Sequence, residues 1–129
     1  MKLHAVLSSV LMLGTAASAS AQMSPPPAIT AQAFAAAATG SIVEIAVRVQ
    51  KRVRSELVAE LLDEETSERY RATGRTVRIF APAQTPIVMG TRAEVDAPGA
   101  IVFVKAVVTG KGHADAKRFV VITPYATVH

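Results

Sequence analysis

The run IVEIAVRVQKRV, residues 42–53, constrains the fold of this chain more than any other stretch. Val43, Ile45, Val47, Val49 and Val53 share one parity, interrupted only by Lys51. Glu44, Arg48, Gln50 and Arg52, with Arg54 just beyond, share the other. β-Branched residues repeating at period two suit a half-buried strand, because branching at Cβ stiffens χ1 and packs well on a pleated surface. A helix has support of its own. Ile42, Ile45, Val49, Val53, Leu57 and Leu61 recur at three- and four-residue steps, and Glu44/Arg48 and Arg52/Glu56 are favourable helical pairs. It would leave Val43 and Val47 on its polar side, so the strand is the stronger reading.

The next stretch, SELVAELLDEETSERY (55–70), keeps both options open. Ser55 could cap a helix whose apolar side holds Leu57, Val58, Leu61 and Leu62. Alternatively DEETSE is a polar turn between ELVAELL and ERYRATGRTVRIFA, which makes a hairpin. Downstream the pattern is plainer. RTVRIFA (75–81) alternates, and Pro82 and Pro86 bracket a loop. IVMGTRAEV (87–95) reads as a strand bent at Gly90, and DAPG (96–99) as a turn. AIVFVKAVV (100–108) is apolar on both faces apart from Lys105, as an interior strand would be. TGKGHADAK (109–117) reads as a loop and RFVVIT (118–123) as the last strand. Upstream, Thr30 before AQAFAAAAT and Gly40 after it predict a short helix.

Short strands with Gly and Pro at the breaks predict a mainly β fold, a small antiparallel barrel of about five to six strands with a short N-terminal helix. The segment from Arg75 to Thr123 resembles small exported bacterial β-barrel domains of the OB-like kind. The resemblance rests on strand, Pro/Thr loop, strand, the Ala97-Pro98-Gly99 turn, a Val-rich strand, a Gly loop and a final Val-rich strand. It covers roughly the last half of the mature chain. A second resemblance is to the cystatin-like α+β fold, a helix followed by a four-stranded sheet. In it PIVMG (86–90) occupies the place of the inhibitor's Q-x-V-x-G hairpin, with Pro86 where that motif has glutamine.

The first residues give the chain an address. MKLHAVLSSVLMLGTAASASAQ starts with Lys2, continues through an apolar run from Ala5 to about Leu13, and ends on Ala19-Ser20-Ala21. That is the plan of a secretory signal cleaved between Ala21 and Gln22. The apolar run is too short for a bilayer, which takes about 20 residues. The expected organisation is therefore a signal peptide over 1–21, a Pro-rich spacer over 22–29 and one small domain over 30–129, delivered to the periplasm or secreted. Taking the 21 signal residues from 129 leaves 108, enough for a core. With no cysteine in the sequence, that core has no disulfide to help it. The signal removes one Lys, so 13 basic residues face 10 acidic ones in the remainder, a balance of +3. That mild charge suits an anionic surface of the bacterial envelope better than nucleic acid, which an exported protein rarely meets.

The reactive groups are sparse. No nucleophile motif of the G-x-S-x-G or S-x-x-K type occurs. Glu64 and Glu65 sit in a solvated turn where nothing raises a carboxylate pKa, so no enzyme and no cofactor is expected. His113 and Asp115 in GHAD are half of a metal site at best, since zinc takes three or four ligands. His129, the last residue, would be frayed. Gly110 and Gly112 lack the strand–loop–helix context of a phosphate loop. What remains is arginine. Arg48, Arg52 and Arg54 share one parity, and Arg69, Arg71 and Arg75 share another, with Tyr70 among them. Such faces grip anions through forked guanidinium contacts, unless Glu56, Glu60 and Glu68 neutralise them across the strands. The sequence thus predicts a non-enzymatic binding or structural module. Its partner is an anionic envelope component (lipid headgroup, lipopolysaccharide phosphate or cell-wall polymer) or another envelope protein. A cystatin-like protease inhibitor and a metal-binding accessory protein are the alternatives.

Overall fold

The computed structural model describes residues 28–123 and 125–129; the predicted signal peptide and most of the spacer lie outside them. The elements are α1 (Ala31–Ala36), β1 (Ile42–Val53), β2 (Glu56–Thr66), β3 (Arg69–Phe80) and β4 (Ile87–Met89). They continue with α2 (Arg92–Asp96), β5 (Ile101–Gly110), β6 (His113–Val121) and β7 (Thr127–Val128).

The alternation of 42–53 does make a strand, and the ambiguous stretch after it makes a hairpin. β1 pairs antiparallel with β2 on one edge and with β5 on the other. β2 continues into β3, β5 into β6, and β3 meets β6 in parallel through Arg78↔His113, Ile79↔Ala114 and Phe80↔Asp115. These five strands close a ring. Following paired residues from Val53 through Glu56, Phe80, Asp115 and Val107 returns to β1 at Ile42, the far end of the same strand. That stagger is what closing a sheet on itself demands. The result is a small, mainly β barrel, and the cystatin-like helix and four-stranded sheet is not adopted. The parallel closure departs from the wholly antiparallel expectation. It follows from strand number: β3–β2, β2–β1, β1–β5 and β5–β6 are all antiparallel, so a ring of five strands has to close on one parallel pair.

Inside the ring lie Val43, Ile45, Val47 and Val49 of β1, Leu57, Ala59 and Leu61 of β2, Val77 and Ile79 of β3, and their counterparts on β5 and β6. Phe34 closes one end from α1, whose N-cap Thr30 accepts the Ala33 N–H through Oγ1 at 3.1 Å. The helix stops at Ala36, before Gly40. Ala28 and Ile29, assigned by the sequence to the spacer, already pack on the fold, and the Ile29 N–H donates to Glu44 O at 2.9 Å.

A second, smaller cluster lies outside the barrel. Ala46, Ile101 and Phe103 face outward, and Leu62, Tyr70 and Ala126 cover them. The ring of Tyr70 stands edge-on to that of Phe103, centroids 6.0 Å apart. This cluster explains why β5 is apolar on both faces. It also pins the C-terminus: β7 pairs in parallel with the start of β3, and His129 N–H and O bond Tyr70 O and Ala72 N. His129 is therefore not frayed. Tyr70 is only 1% exposed, and burial, with the Glu64 charge nearby, pushes its pKa up to about 12. An unfolded tyrosine ionises near 10. Between those values the unfolded chain holds fewer protons than the folded one, so stability falls as pH rises. Urea unfolding at pH 9 and at pH 11.5 should show a larger alkaline loss for the native chain than for Tyr70→Phe; equal losses would contradict the burial.

Two further segments differ from expectation. Residues 87–95 do not form one bent strand: β4 ends at Met89, and Thr91 opens α2 with a capping box shared with Glu94. The T-x-x-E spacing carried that signal. Residues 113–117 are not loop but the first half of β6, joined to β5 by a two-residue turn at Lys111–Gly112. Alanine at 114 and 116 is a weak strand former, yet both face the core.

Candidate binding surfaces

The predicted arginine faces do not form as such. β1 carries a bulge between Val49 and Lys51, and a bulge reverses the parity of everything beyond it. Arg48, before the bulge, points outward and pairs with Glu60 across the ladder at 2.7 Å. Glu60 is held below the usual carboxylate range chiefly by that bond; burial opposes the shift, and the Gly74 N–H adds to it. Arg52, beyond the bulge, stands opposite Leu57 and turns toward the barrel end. There its Nη1 donates to Ala81 O at 2.9 Å, and its Nη2 lies 2.9 Å from Asp96 of α2. Arg54 occupies the β1–β2 turn at φ 58°, exposed. Val53, expected inside, is exposed for the same reason as Arg52 is not.

The second group divides too. Arg69 is exposed at the β2–β3 turn. Arg71 pairs with Asp63, and Arg75 sits in a bulge of β3. Only Arg71 and Arg75 come together, around one polar depression beside α1. Tyr70, on the opposite side of β3 from Arg71, is buried and offers no stacking surface. The neutralising glutamates act in part: Glu60 pairs with Arg48 and Glu56 with Arg78. His113 and Asp115 stand two apart on the outer side of β6, and among the described residues no third His, Cys, Asp or Glu joins them. The protruding hairpin that a cystatin-like inhibitor needs around Val88 is not formed, because β4 lies alongside β6 in parallel.

Pairing on the outside of β2, β3 and β6 produces a surface the sequence did not foreshadow. One row across the strands reads Val53, Glu56, Phe80, Asp115. The next reads Lys51, Val58, Arg78, His113. Phe80 is 48% exposed at the middle of this face. The two short turns flank it: Ser55 O accepts the Ala81 N–H at 2.7 Å, and Gly112 O accepts the Arg78 N–H at 2.9 Å. These contacts bring Arg54 and Lys111 to the margins. Lys51, Arg54, Arg78 and Lys111 there outnumber Glu56 and Asp115. The Arg78–Glu56 bridge, 3.0 Å and exposed, adds little rigidity and leaves Arg78 able to exchange partners. A half-exposed aromatic ring among cations suits a ligand with a flat apolar face and negative charge. The signal was present in RTVRIFA, where Arg78 and Phe80 share a parity, but the register was needed to add Lys51 and His113.

No protein-family model, no curated protein and no solved structure matches the chain. An apolar depression elsewhere, between Met89, Val120, Ile122 and Tyr125, has Glu68 as the charged residue of its lining and does not suit an anion.

Proposed function

We propose that this chain is an exported, non-enzymatic binding module of the bacterial envelope, of the small OB-like kind, that lays the outer face of β2, β3 and β6 on an anionic partner. The observation that carries this reading is the half-exposed Phe80, with Arg78 two residues before it on β3 and Lys51, Arg54 and Lys111 around the same face, outnumbering the Glu56 and Asp115 carboxylates beside it. An exposed phenylalanine at the centre of a strand face is costly to keep in water, at about 25 cal/mol per Å² of apolar surface. Its cationic neighbours match phosphate or carboxylate groups along a polymer or in a headgroup layer. The face is broad and open rather than a cleft, which favours an extended partner over a small substrate. Among the described residues no helix is long and apolar enough to cross a membrane. The export signal in residues 1–21 supports the envelope location.

Binding of the mature chain to phosphatidylglycerol vesicles and to a polyuronate tests the reading. Binding to one of them should weaken with salt, since exposed charges are screened within about 10 Å at 0.1 M. Phe80→Ala and Lys51→Gln should each weaken it by about tenfold, or about 1.4 kcal/mol. Arg48→Gln, whose partner is Glu60, should leave it unchanged. A loss confined to Arg48→Gln, or binding indifferent to salt and to Phe80→Ala, would remove this face from consideration.

A further inference from the structure

A second polar feature lies at the other end of β3, beside α1. Between Ala72 and Thr76, β3 holds Thr73, Gly74 and Arg75 against Leu61 alone on β2. Two backbone N–H groups of this bulge, and the carbonyl opposite it, are given side-chain partners. Gly74, at φ 75°, donates its N–H to Glu60 Oε2 at 2.9 Å. Arg75 N–H donates to Thr73 Oγ1 at 3.2 Å, and that hydroxyl donates to Leu61 O at 2.7 Å. A bulge held by three side-chain hydrogen bonds is a built feature, and bulges commonly serve to re-aim a side chain. Here the re-aimed side chain is Arg75, which borders an open depression of about 340 Å³ together with Gln32, Asp63, Arg71 and Thr73.

The depression is rich in donors and poor in free acceptors. Asp63 is its one carboxylate, and both oxygens are committed: Oδ1 accepts the Ala31 N–H at 2.7 Å, and Oδ2 accepts from Arg71 Nη2. Arg71 is thus held in place while its side chain stays 57% exposed, with donors to spare. Arg75 has no ion-pair partner among the described residues. Two guanidinium groups against one occupied carboxylate leave a net positive charge. The planar fork of each matches a carboxylate or phosphate with two parallel hydrogen bonds. Holding Arg71 beforehand removes part of the ordering cost of binding.

We infer that this depression is a binding site for a small organic or inorganic anion, a carboxylate or a phosphate, held between Arg75 and the Asp63-anchored Arg71. It shares no residue with the Phe80 face and stands or falls separately from it. The test is a nuclear magnetic resonance titration of the isotopically labelled mature chain with inorganic phosphate, with galacturonate and with galactose. One of the two anions should produce saturable shifts at the Gly74 and Arg75 amides and at Nε of Arg71 and Arg75, and galactose none. Saturation by phosphate alone assigns a phosphate site; saturation by galacturonate alone assigns a carboxylate site. Arg75→Gln, which removes no contact that the fold uses, should keep the native spectrum and weaken binding at least tenfold. Shifts that rise linearly with both anions, that gather at Lys51 and Lys111 instead, or that persist unchanged in Arg75→Gln would overturn the assignment.

Discussion

Arg52→Ala lowers the unfolding free energy by roughly 3 kcal/mol, several times the effect of Arg48→Ala, which stays within about 1 kcal/mol. Both arginines lie on β1 and both have an acidic partner, but their surroundings differ. Arg52 is 21% exposed and Asp96 28%, with Arg52 Nε, Arg52 Nη2 and Asp96 Oδ1 shut off from solvent. Arg52 Nη2 and Asp96 Oδ1 touch at 2.9 Å without the alignment of a hydrogen bond. Removing the guanidinium strands the Asp96 carboxylate and Ala81 O at the barrel end, and each unsatisfied buried group costs about 1–3 kcal/mol. Arg48 is 38% exposed, and Glu60, though only 13% exposed, keeps the Gly74 N–H as a partner when Arg48 is removed. Urea denaturation of the two variants decides the matter, with equal losses contradicting the buried placement of Arg52.

Gly90→Ala is expected to cost about 2–4 kcal/mol. Two penalties combine. The residue sits at φ 105°, outside the range that side chains tolerate, a strain of about 1–3 kcal/mol. A Cβ there would also stand 2.5 Å from Val121 Cγ2 and 2.7 Å from Val121 Cβ. A β-branched side chain packed in the core cannot swing aside, and overpacking costs about 1–3 kcal/mol. Val121→Ala removes the Cγ2 clash but neither the 2.7 Å approach to Cβ nor the backbone strain. The double variant should therefore be less unstable than the sum of the single ones, a coupling measurable by a double-mutant cycle. Strict additivity would mean that β4 does not lie so close to β6. This contact matters to the architecture because β4 occupies the lane along β6 that β3 vacates after Phe80.

The sequence was most informative where one side of a strand is uniformly buried. Period two over Val43–Val49 marked β1, a run apolar on both faces over 100–108 marked β5, and the Ser55–Tyr70 alternative resolved in favour of the hairpin. It misled where a strand slips. Lys51 was the visible exception to the alternation, and it marked the bulge that sends Arg52 inward and Val53 outward. A single interruption can be read as a lone exposed lysine or as a change of parity, and spacing does not distinguish the two. The β6 segment His113–Lys117 was hidden for another reason. Alanine carries little propensity for strand or loop, and its place in the core depends on partners 35 residues upstream in β3, Ile79 for Ala114.

The site followed the same division. Arg71 and Arg75 were picked out by shared parity, but the depression they border, with Gln32 of α1 and Asp63 of β2, belongs to the fold. Phe80 went unremarked, while Tyr70, the aromatic that stood among the arginines, proved to be core.

Period-two burial of β-branched residues is a local property, repeated every second residue along a few turns of backbone. The sequence alone could therefore establish a mainly β barrel with one apolar interior. Which cations meet on the outside depends on register between strands distant in the chain, and on two bulges, of which the one in β1 reverses every side chain beyond it and the one in β3 sets the place of Arg75. Those are decided by the closure of the ring and the fit of its core, so the binding surfaces belong to the tertiary structure.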